Sequence, residues 1–207
     1  DVLKELAAEY PHGFIDLIYI DPPFNSKRNY NILFEDLDME DTKAQREAFA
    51  DTWSNVSYKD AINEIAEKNI YLYEFLKTLD KINISSSAVA YLSTMALRIQ
   101  YMHEVLKDTG SFYLHCDPNM SHYLKVICDL IFINGGINAR FINEITWKRS
   151  IAHSDAKNKF ADVNDIILAY AKSDNYFFKP TFIPHEENSE YVKKFYRFDD
   201  NDGRGLY

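Results

Sequence analysis

The chain has 207 residues, of which 46% are hydrophobic and 15% aromatic, so it is long enough for one domain with a sizeable core and too apolar for a disordered protein. Its net charge of -9 disfavours a nucleic-acid partner at first sight, although acidic stretches and basic pairs are separated along the chain, as in an acidic protein with one basic groove. Its apolar runs are too short to cross a bilayer, no segment resembles a signal peptide, and two cysteines are too few for a disulfide framework, so we expect a cytoplasmic protein with reduced thiols.

The first part of the chain predicts one strand between helical segments. Apolar residues at helical spacing predict a helix over residues 1–10. The near-continuous apolar run over 14–20 is typical of a strand buried on both faces of a mostly parallel sheet, and Pro22 and Pro23 end it because proline cannot donate to a ladder. The charged stretch 41–80 is mostly helical in pattern, and we interpret it as a helical insertion.

Helices and strands alternate after this stretch. An amphipathic pattern predicts a helix over 87–107, and a short apolar run predicts a strand over 111–115. We expect a further helix, capped by Asp117 or Asn119, to run to about residue 132.

Two more strands complete the pattern. They are predicted over 141–147 and 166–171, joined by a polar and basic loop over 148–160. The alternation of helix and strand predicts an α/β protein with an open sheet. Because the alternation stops at residue 177, we predict one domain over 1–176 and the start of a different subdomain over 177–207.

The residues with the clearest chemical meaning follow the first predicted strand: Asp21, Pro22, Pro23 and Phe24. Open α/β sheets bind ligands at the carboxyl ends of their strands. Two prolines remove two N–H donors, so the local carbonyls and the Asp21 carboxylate form an acceptor-only cluster that suits an NH₂ group, such as the exocyclic amine of a base. Phe24 supplies a face on which a flipped base can stack. The same four residues also fit an ordinary turn after a strand.

Basic and aromatic side chains near two predicted strand ends suit contacts to nucleic acid, the basic ones to phosphates and the aromatic ones to a flipped base. They are Lys27, Arg28, Tyr30, Trp147, Lys148 and Arg149. Solvated surface and interior packing are the alternative interpretations.

Other chemistries find less support in the sequence. His115, Cys116, Asp117 and His122 lie close together, but the spacing does not match a zinc site, and a strand end in the core is favoured there. We therefore predict no metal site. The chain also contains no Gly-x-Ser-x-Gly elbow and no glycine-rich phosphate loop.

Five stretches, taken in their order along the chain, resemble the motifs of one protein family. They are 16–26, 106–117 with 121–124, 143–149, 160 with 164–173, and 191–196 with 200–204. In this order they resemble the β class of DNA amino-methyltransferases, in which the catalytic motif precedes the cofactor motif. The resemblance is strongest to the Mod subunits of type III restriction-modification systems, and it covers most of the chain.

The resemblance implies a Rossmann-like, S-adenosylmethionine-dependent methyltransferase fold with an open, mostly parallel sheet and helices on both faces. It also implies transfer of a methyl group from S-adenosyl-L-methionine to adenine N6 in duplex DNA, with the adenine flipped out. Aspartate at the first motif position is the usual adenine form. The implied site residues are Asp21, Pro22, Pro23 and Phe24 for catalysis, Asp21 and Pro22 also for the cofactor, Asn25 for DNA, and His115 and Asp117 as pocket lining.

The implied partners are duplex DNA, a second copy of the chain and a restriction-nuclease subunit, with no membrane. The family's Phe-x-Gly-x-Gly cofactor loop does not occur in this sequence, so we interpret the chain as a fragment whose last part, 177–207, begins a target-recognition region. Whether such a fragment is active by itself stays open. Two alternatives also stay open: methylation of another amino group (cytosine N4, RNA or a protein glutamine amide), and a non-catalytic DNA-binding module.

Overall fold

The structure is a computed structural model that describes most of the chain. The described residues are 2–22, 57–82, 86–133, 140–149, 163–182, 186, 189–201 and 205. The chain divides into two compact units, Asp1–Phe177 and Phe178–Tyr207. The predicted domains, 1–176 and 177–207, and the assignment of the second to target recognition stay predictions.

The first unit contains, in chain order, helix α1 (Val2–Glu9), strand β1 (Ile15–Ile20), helices α2 (Ser57–Lys68), α3 (Ile70–Ile82) and α4 (Ser86–Val105), strand β2 (Leu106–Cys116), helix α5 (Ser121–Cys128), a π-helical turn (Asp129–Ile133), and strands β3 (Arg140–Lys148) and β4 (Asn164–Ala171). The second unit contains helix α6 (Glu190–Phe195). Each helix and strand predicted within the described residues is therefore present, with shifted ends. None of the described helices is long and apolar enough to cross a membrane.

The four described strands form one sheet in the order β1-β2-β4-β3. β1 and β2 are parallel, whereas β4 is antiparallel to both β2 and β3. Two of the three pairings between the described strands are therefore antiparallel, so this sheet is mixed and differs from the mostly parallel sheet that was predicted.

Strand β2 begins earlier than predicted, at Leu106, because residues expected to close α4 pair with β1 instead. Ile15 lies opposite Leu106 and Leu17 lies opposite Ser111, so the register shifts between these two pairs. Gly13 permits this close approach, since its φ is 72° and a Cβ at this position would lie 2.2 Å from the carbonyl oxygen of Leu106.

The core lies between one face of the sheet and the helices. Helix α4 is central to it and packs against α1, α2, α3 and α5. Ile65 of α2 and Leu72 and Leu76 of α3 are fully buried in the same core. The stretch predicted as a helical insertion is thus helical over its described part, and those helices belong to the main core.

The prediction that β1 is buried on both faces is wrong within the described residues. Ile18 and Ile20 pack against the core, but Leu17 and Tyr19 on the opposite face are 59% and 49% exposed. Ile145 and Trp147 of β3 are also largely exposed. The described helices of the first unit therefore cover one face of the sheet, and the expected helical layer on the other face stays a prediction.

Candidate active site at the carboxyl ends of β1 and β2

The parallel pairing of β1 with β2 brings Asp21 next to His115. Ile20 lies opposite Leu114, so the residues that follow them meet at the same edge of the sheet. Oδ1 of Asp21 lies 3.2 Å from Nδ1 of His115. The Asp21 side chain is 57% exposed and the His115 side chain only 8%. A carboxylate that is open to a ligand therefore has a buried imidazole behind it.

Tyr19 adds a phenol to this edge. It precedes Asp21 by two residues, so both side chains are on the same face of β1. Its hydroxyl oxygen lies 3.4 Å from Nδ1 of His115. Partial burial and, after it, the carboxylate of Asp21 raise the pKa of Tyr19. The phenol therefore keeps its proton and offers both a donor and an acceptor beside the imidazole.

Asp165 of β4 faces the other ring nitrogen of His115. Its Oδ2 lies 3.3 Å from Nε2 of His115, and its side chain is 5% exposed. Arg149, which follows β3, donates from Nη1 to Oδ1 of Asp165 at 3.1 Å. The Arg149 backbone N–H donates to the carbonyl of Val163 at 2.8 Å, which fixes the start of this segment beside β4. Residues from four strands or their ends therefore converge on one site.

Asp165 is a site residue that the motifs did not single out. It stands in the strand sequence Asn-Asp-Ile-Ile-Leu-Ala-Tyr-Ala, which is otherwise mainly apolar. A buried carboxylate normally requires a charged or hydrogen-bonding partner. A single aspartate in an otherwise apolar strand could therefore have indicated a site residue from the sequence. Its partners could not be predicted in the same way, because they depend on strand pairing.

Trp147 lies beside this cluster, as the prediction of a base pocket requires. Its ring centroid is 5.4 Å from that of His115, with 32° between the ring planes. About half of the Trp147 side chain is exposed. Lys148 next to it is exposed at the end of β3. Arg149 is 44% exposed, so its contact with Asp165 leaves part of the guanidinium accessible.

Asp117 occupies the turn that follows β2. Its Oδ1 accepts from the Met120 backbone N–H at 3.2 Å, and its Oδ2 accepts from Nδ2 of Asn119 at 2.9 Å. These bonds stabilise the turn that leads into α5, and α5 begins without a side-chain cap. Asp117 was predicted to cap the helix, but its side chain stabilises the turn that precedes α5 instead. Its pocket-lining role stays a prediction.

Pro22 is half-buried directly after Asp21. The remaining predicted residues of the loop lie outside the described residues, and their roles stay predictions. They are Pro23, Phe24, Asn25, Lys27, Arg28 and Tyr30.

The two cysteines are buried and free, which confirms the prediction of reduced thiols in the interior. Burial, with a smaller contribution from Asp117, raises the pKa of the Cys116 thiol to about 12. Burial likewise raises the pKa of Cys128. Both groups are therefore thiols at neutral pH, and neither has the thiolate character of a nucleophile.

Known proteins share this sequence pattern. The sequence model of a family described as DNA methylase matches residues 15–204. The type II methyltransferase M.EcaI of Enterobacter cloacae is 36% identical over 116 residues, which is 56% of this chain and 24% of that protein.

Two Mod subunits of type III restriction-modification enzymes align over more of the chain. The StyLTI Mod subunit of Salmonella typhimurium is 29% identical over 173 residues, 84% of this chain and 22% of that protein. The EcoPI Mod subunit of Escherichia phage P1 is 26% identical over 173 residues, 84% of this chain and 23% of that protein. The chain thus spans less than a quarter of the length of these curated relatives.

Proposed function

Because the chain belongs to the DNA methylase family of N6 and N4 amino-methyltransferases, we propose that the protein transfers a methyl group from S-adenosyl-L-methionine to adenine N6 in duplex DNA, within a restriction-modification system. The observation that carries this proposal is the half-exposed carboxylate of Asp21, which stands at the carboxyl edge of the sheet with His115 behind it. Ligands of open α/β sheets bind at this edge. The aspartate in this motif supports adenine over cytosine.

Asp21 and Pro22 together recognise an amine. A carboxylate accepts hydrogen bonds and donates none, and proline has no backbone N–H. This end of β1 therefore offers acceptors to both N–H groups of an exocyclic amine. Accepting those bonds draws the amine nitrogen toward tetrahedral geometry, in which its lone pair is available for attack instead of delocalised into the ring. Positioning and electrostatics are the main contributions that such a site makes.

The acceptor groups of Asp21 and Pro22 also suit the methyl donor. S-adenosyl-L-methionine would supply an electrophilic methyl group on a cationic sulfonium. A positive group is favoured beside a carboxylate, and more so where water is excluded. We assign Asp21 and Pro22 to this contact as well, since both stand at the open edge of β1.

Three of the residues proposed to contact DNA, Trp147, Lys148 and Arg149, stand at this edge. Trp147, half-exposed beside His115, forms one wall of the pocket for the flipped adenine, and Phe24 stacks on the base. Basic side chains bind the neighbouring phosphates. The full proposed set is Asn25, Lys27, Arg28, Tyr30, Trp147, Lys148 and Arg149.

We further propose the arrangement of the whole enzyme. The four-stranded sheet belongs to a Rossmann-like fold, and the unit Phe178–Tyr207 begins the target-recognition region. The similarity to Mod subunits of type III restriction-modification enzymes supports a restriction-nuclease subunit and a second copy of the chain as partners.

The proposal is tested by methyl transfer in the full-length protein. Duplex DNA and methyl-labelled cofactor are incubated with the wild type, with Asp21→Ala and with Asp16→Ala, and the labelled nucleosides are separated. Asp16 is a matched control, because its carboxylate is on the same strand but 76% exposed and paired with Lys107. We expect labelled N6-methyladenine from the wild type and the control, and a loss of at least roughly 100-fold in Asp21→Ala. Label on cytosine, or no label on DNA from protein that binds the cofactor, would contradict the proposal.

A further inference from the structure

We propose that His115 is a positioning residue that holds the carboxylate of Asp21 in one orientation, and that Asp165 and Arg149 hold the ring of His115 from behind. The inference rests on the proposed function of Asp21 as acceptor for the amine. It deepens that function, because it assigns to three further side chains the task of aiming the acceptor. His115 does not touch the substrate in this arrangement and acts through Asp21.

Three contacts join the four side chains in one row. Asp21 Oδ1 lies 3.2 Å from His115 Nδ1, and His115 Nε2 lies 3.3 Å from Asp165 Oδ2. Arg149 Nη1 lies 3.1 Å from Asp165 Oδ1. Each contact of the row uses a different atom, and Nδ1 of His115 also faces the Tyr19 hydroxyl at 3.4 Å.

Burial along the row indicates which members are supports. The His115 and Asp165 side chains in the middle are 8% and 5% exposed, whereas Asp21 and Arg149 at the ends are 57% and 44% exposed. Polar contacts are stronger where water is excluded. The two central residues lie in the drier part of the row, and its open end is the carboxylate that meets the ligand.

The supply of protons favours a bond from His115 to Asp21. Carboxylates only accept, and a neutral imidazole has one N–H to donate. Asp165 also receives a hydrogen bond from Arg149. With its N–H at Nδ1 directed to Asp21, the ring meets Asp165 by contact at Nε2 and not by a hydrogen bond, and Asp165 keeps the hydrogen bond from Arg149.

The rings of Tyr19 and Trp147 restrict His115 further. The Tyr19 hydroxyl lies 3.4 Å from Nδ1, and the Trp147 ring centroid lies 5.4 Å from that of the imidazole. With the imidazole fixed and Oδ1 of Asp21 engaged, Oδ2 is the oxygen left for the amine. Catalytic groups must be held within about 0.5 Å of their working geometry, and an exposed aspartate alone does not meet that demand.

Two substitutions distinguish the roles of the two ring nitrogens of His115. Asn in place of His115 puts an amide donor near the position of Nδ1, toward Asp21. Gln in its place reaches the position of Nε2, toward Asp165. His122→Ala is the matched control, because His122 is exposed on α5. Thermal unfolding of each variant is recorded so that loss of fold is distinguished from loss of orientation.

The expected result is a difference in kcat. We expect His115→Asn to keep most of the wild-type kcat and His115→Gln to lose roughly 10- to 100-fold, the effect of one hydrogen bond to a charged group. KM for the cofactor and for DNA should stay close to wild type in both, because His115 contacts neither. Equal losses in the two variants, or a change in KM at constant kcat, would overturn the inference.

A spectroscopic measurement tests the row independently of methyl transfer. The ¹⁵N chemical shifts of the His115 ring are measured in the full-length wild type, in Asp21→Asn and in Asp165→Asn. We expect Asp21→Asn to shift Nδ1 and Asp165→Asn to shift Nε2. If neither shift responds, the row is absent and the inference fails. If both respond while the wild type methylates no adenine, the row stands and the proposed function is the part that fails.

Discussion

The role of Asp165 follows from the side chains that surround its buried carboxylate. Leaving a carboxylate without a partner in the interior costs several kcal/mol by general estimates. His115 and Arg149 supply the partners of Asp165, so the cost is offset at the site where Asp21 needs support. A buried charge of this kind contributes less to stability than to geometry, which is why we assign it to function.

His103 is a buried histidine with a different consequence. It lies on α4 with its ring edge-on to Phe132, and its Nε2 has no hydrogen-bond partner among the described residues. Burial, and to a smaller degree the charge of Lys172, lower the pKa of His103 to about 4. The unfolded chain therefore binds one more proton than the folded chain between pH 6.5 and about 4.

The sign of this difference predicts acid sensitivity. The contribution of neutral His103 to the free energy of unfolding is fully present above pH 6.5. It is lost as the pH falls toward 4, and the total loss is about 3 kcal/mol. We expect His103→Met, which cannot titrate, to remove that part of the pH dependence in urea unfolding at pH 7 and pH 4. His122→Gln on the surface should leave it unchanged. Equal pH dependence in wild type and His103→Met would show that burial of His103 is not the cause.

Gly13 decides how the first two strands of the sheet meet. Its φ of 72° lies in the left-handed region, and the space for a Cβ is filled by the carbonyl of Leu106. Phe14 then donates its N–H to the carbonyl of Val105 at 2.9 Å, which fixes the start of β1 against the end of α4. The parallel pairing that carries Asp21 to His115 begins at this contact.

We expect Gly13→Ala to lower the free energy of unfolding by at least about 2 kcal/mol, because it adds a backbone clash to the strain of a positive φ. Gly205→Ala is the control, since Gly205 also has a positive φ of 85°, but within the described part of the chain no atom lies within 4 Å of the place that a Cβ would take. Urea unfolding of both variants measures the difference. A loss in Gly13→Ala no larger than that in Gly205→Ala would mean that the clash is relieved at no cost.

The net charge of the whole molecule, -9, contrasts with its proposed substrate. The family match over residues 15–204 confirms the resemblance to DNA amino-methyltransferases, whereas the overall acidity by itself disfavoured the nucleic-acid partner that we propose. The attraction of a phosphate depends on the charges close to it, because salt screens electrostatic interactions beyond about 8–10 Å at physiological ionic strength. Lys148 and Arg149 stand at the edge that carries Asp21 and His115, where such a local charge is useful.

Lys148→Ala tests this local charge. We expect weaker binding to duplex DNA of any sequence, and a slope of log affinity against log salt that is smaller by about 1, because one phosphate contact is lost. Lys77→Ala, an exposed lysine on α3, should not change the slope. Fluorescence anisotropy over a salt series measures both. An unchanged slope in Lys148→Ala would assign Lys148 to solvated surface.

Local sequence by itself determined the elements and the motif. Apolar periodicity located the helices and strands, and the prolines after Ile20 marked the end of β1. These features depend on neighbours within a few residues, so they can be predicted from the chain alone. The order of the motifs along the chain was sufficient for the family.

Only the tertiary structure decided what surrounds Asp21. His115 reaches it through the parallel register of β1 and β2, and Asp165 reaches His115 through the antiparallel register of β2 and β4. The exposure of Leu17 and the burial of His103 likewise depend on which face the helices cover. Register and layer packing join residues far apart in sequence, and no local propensity encodes them.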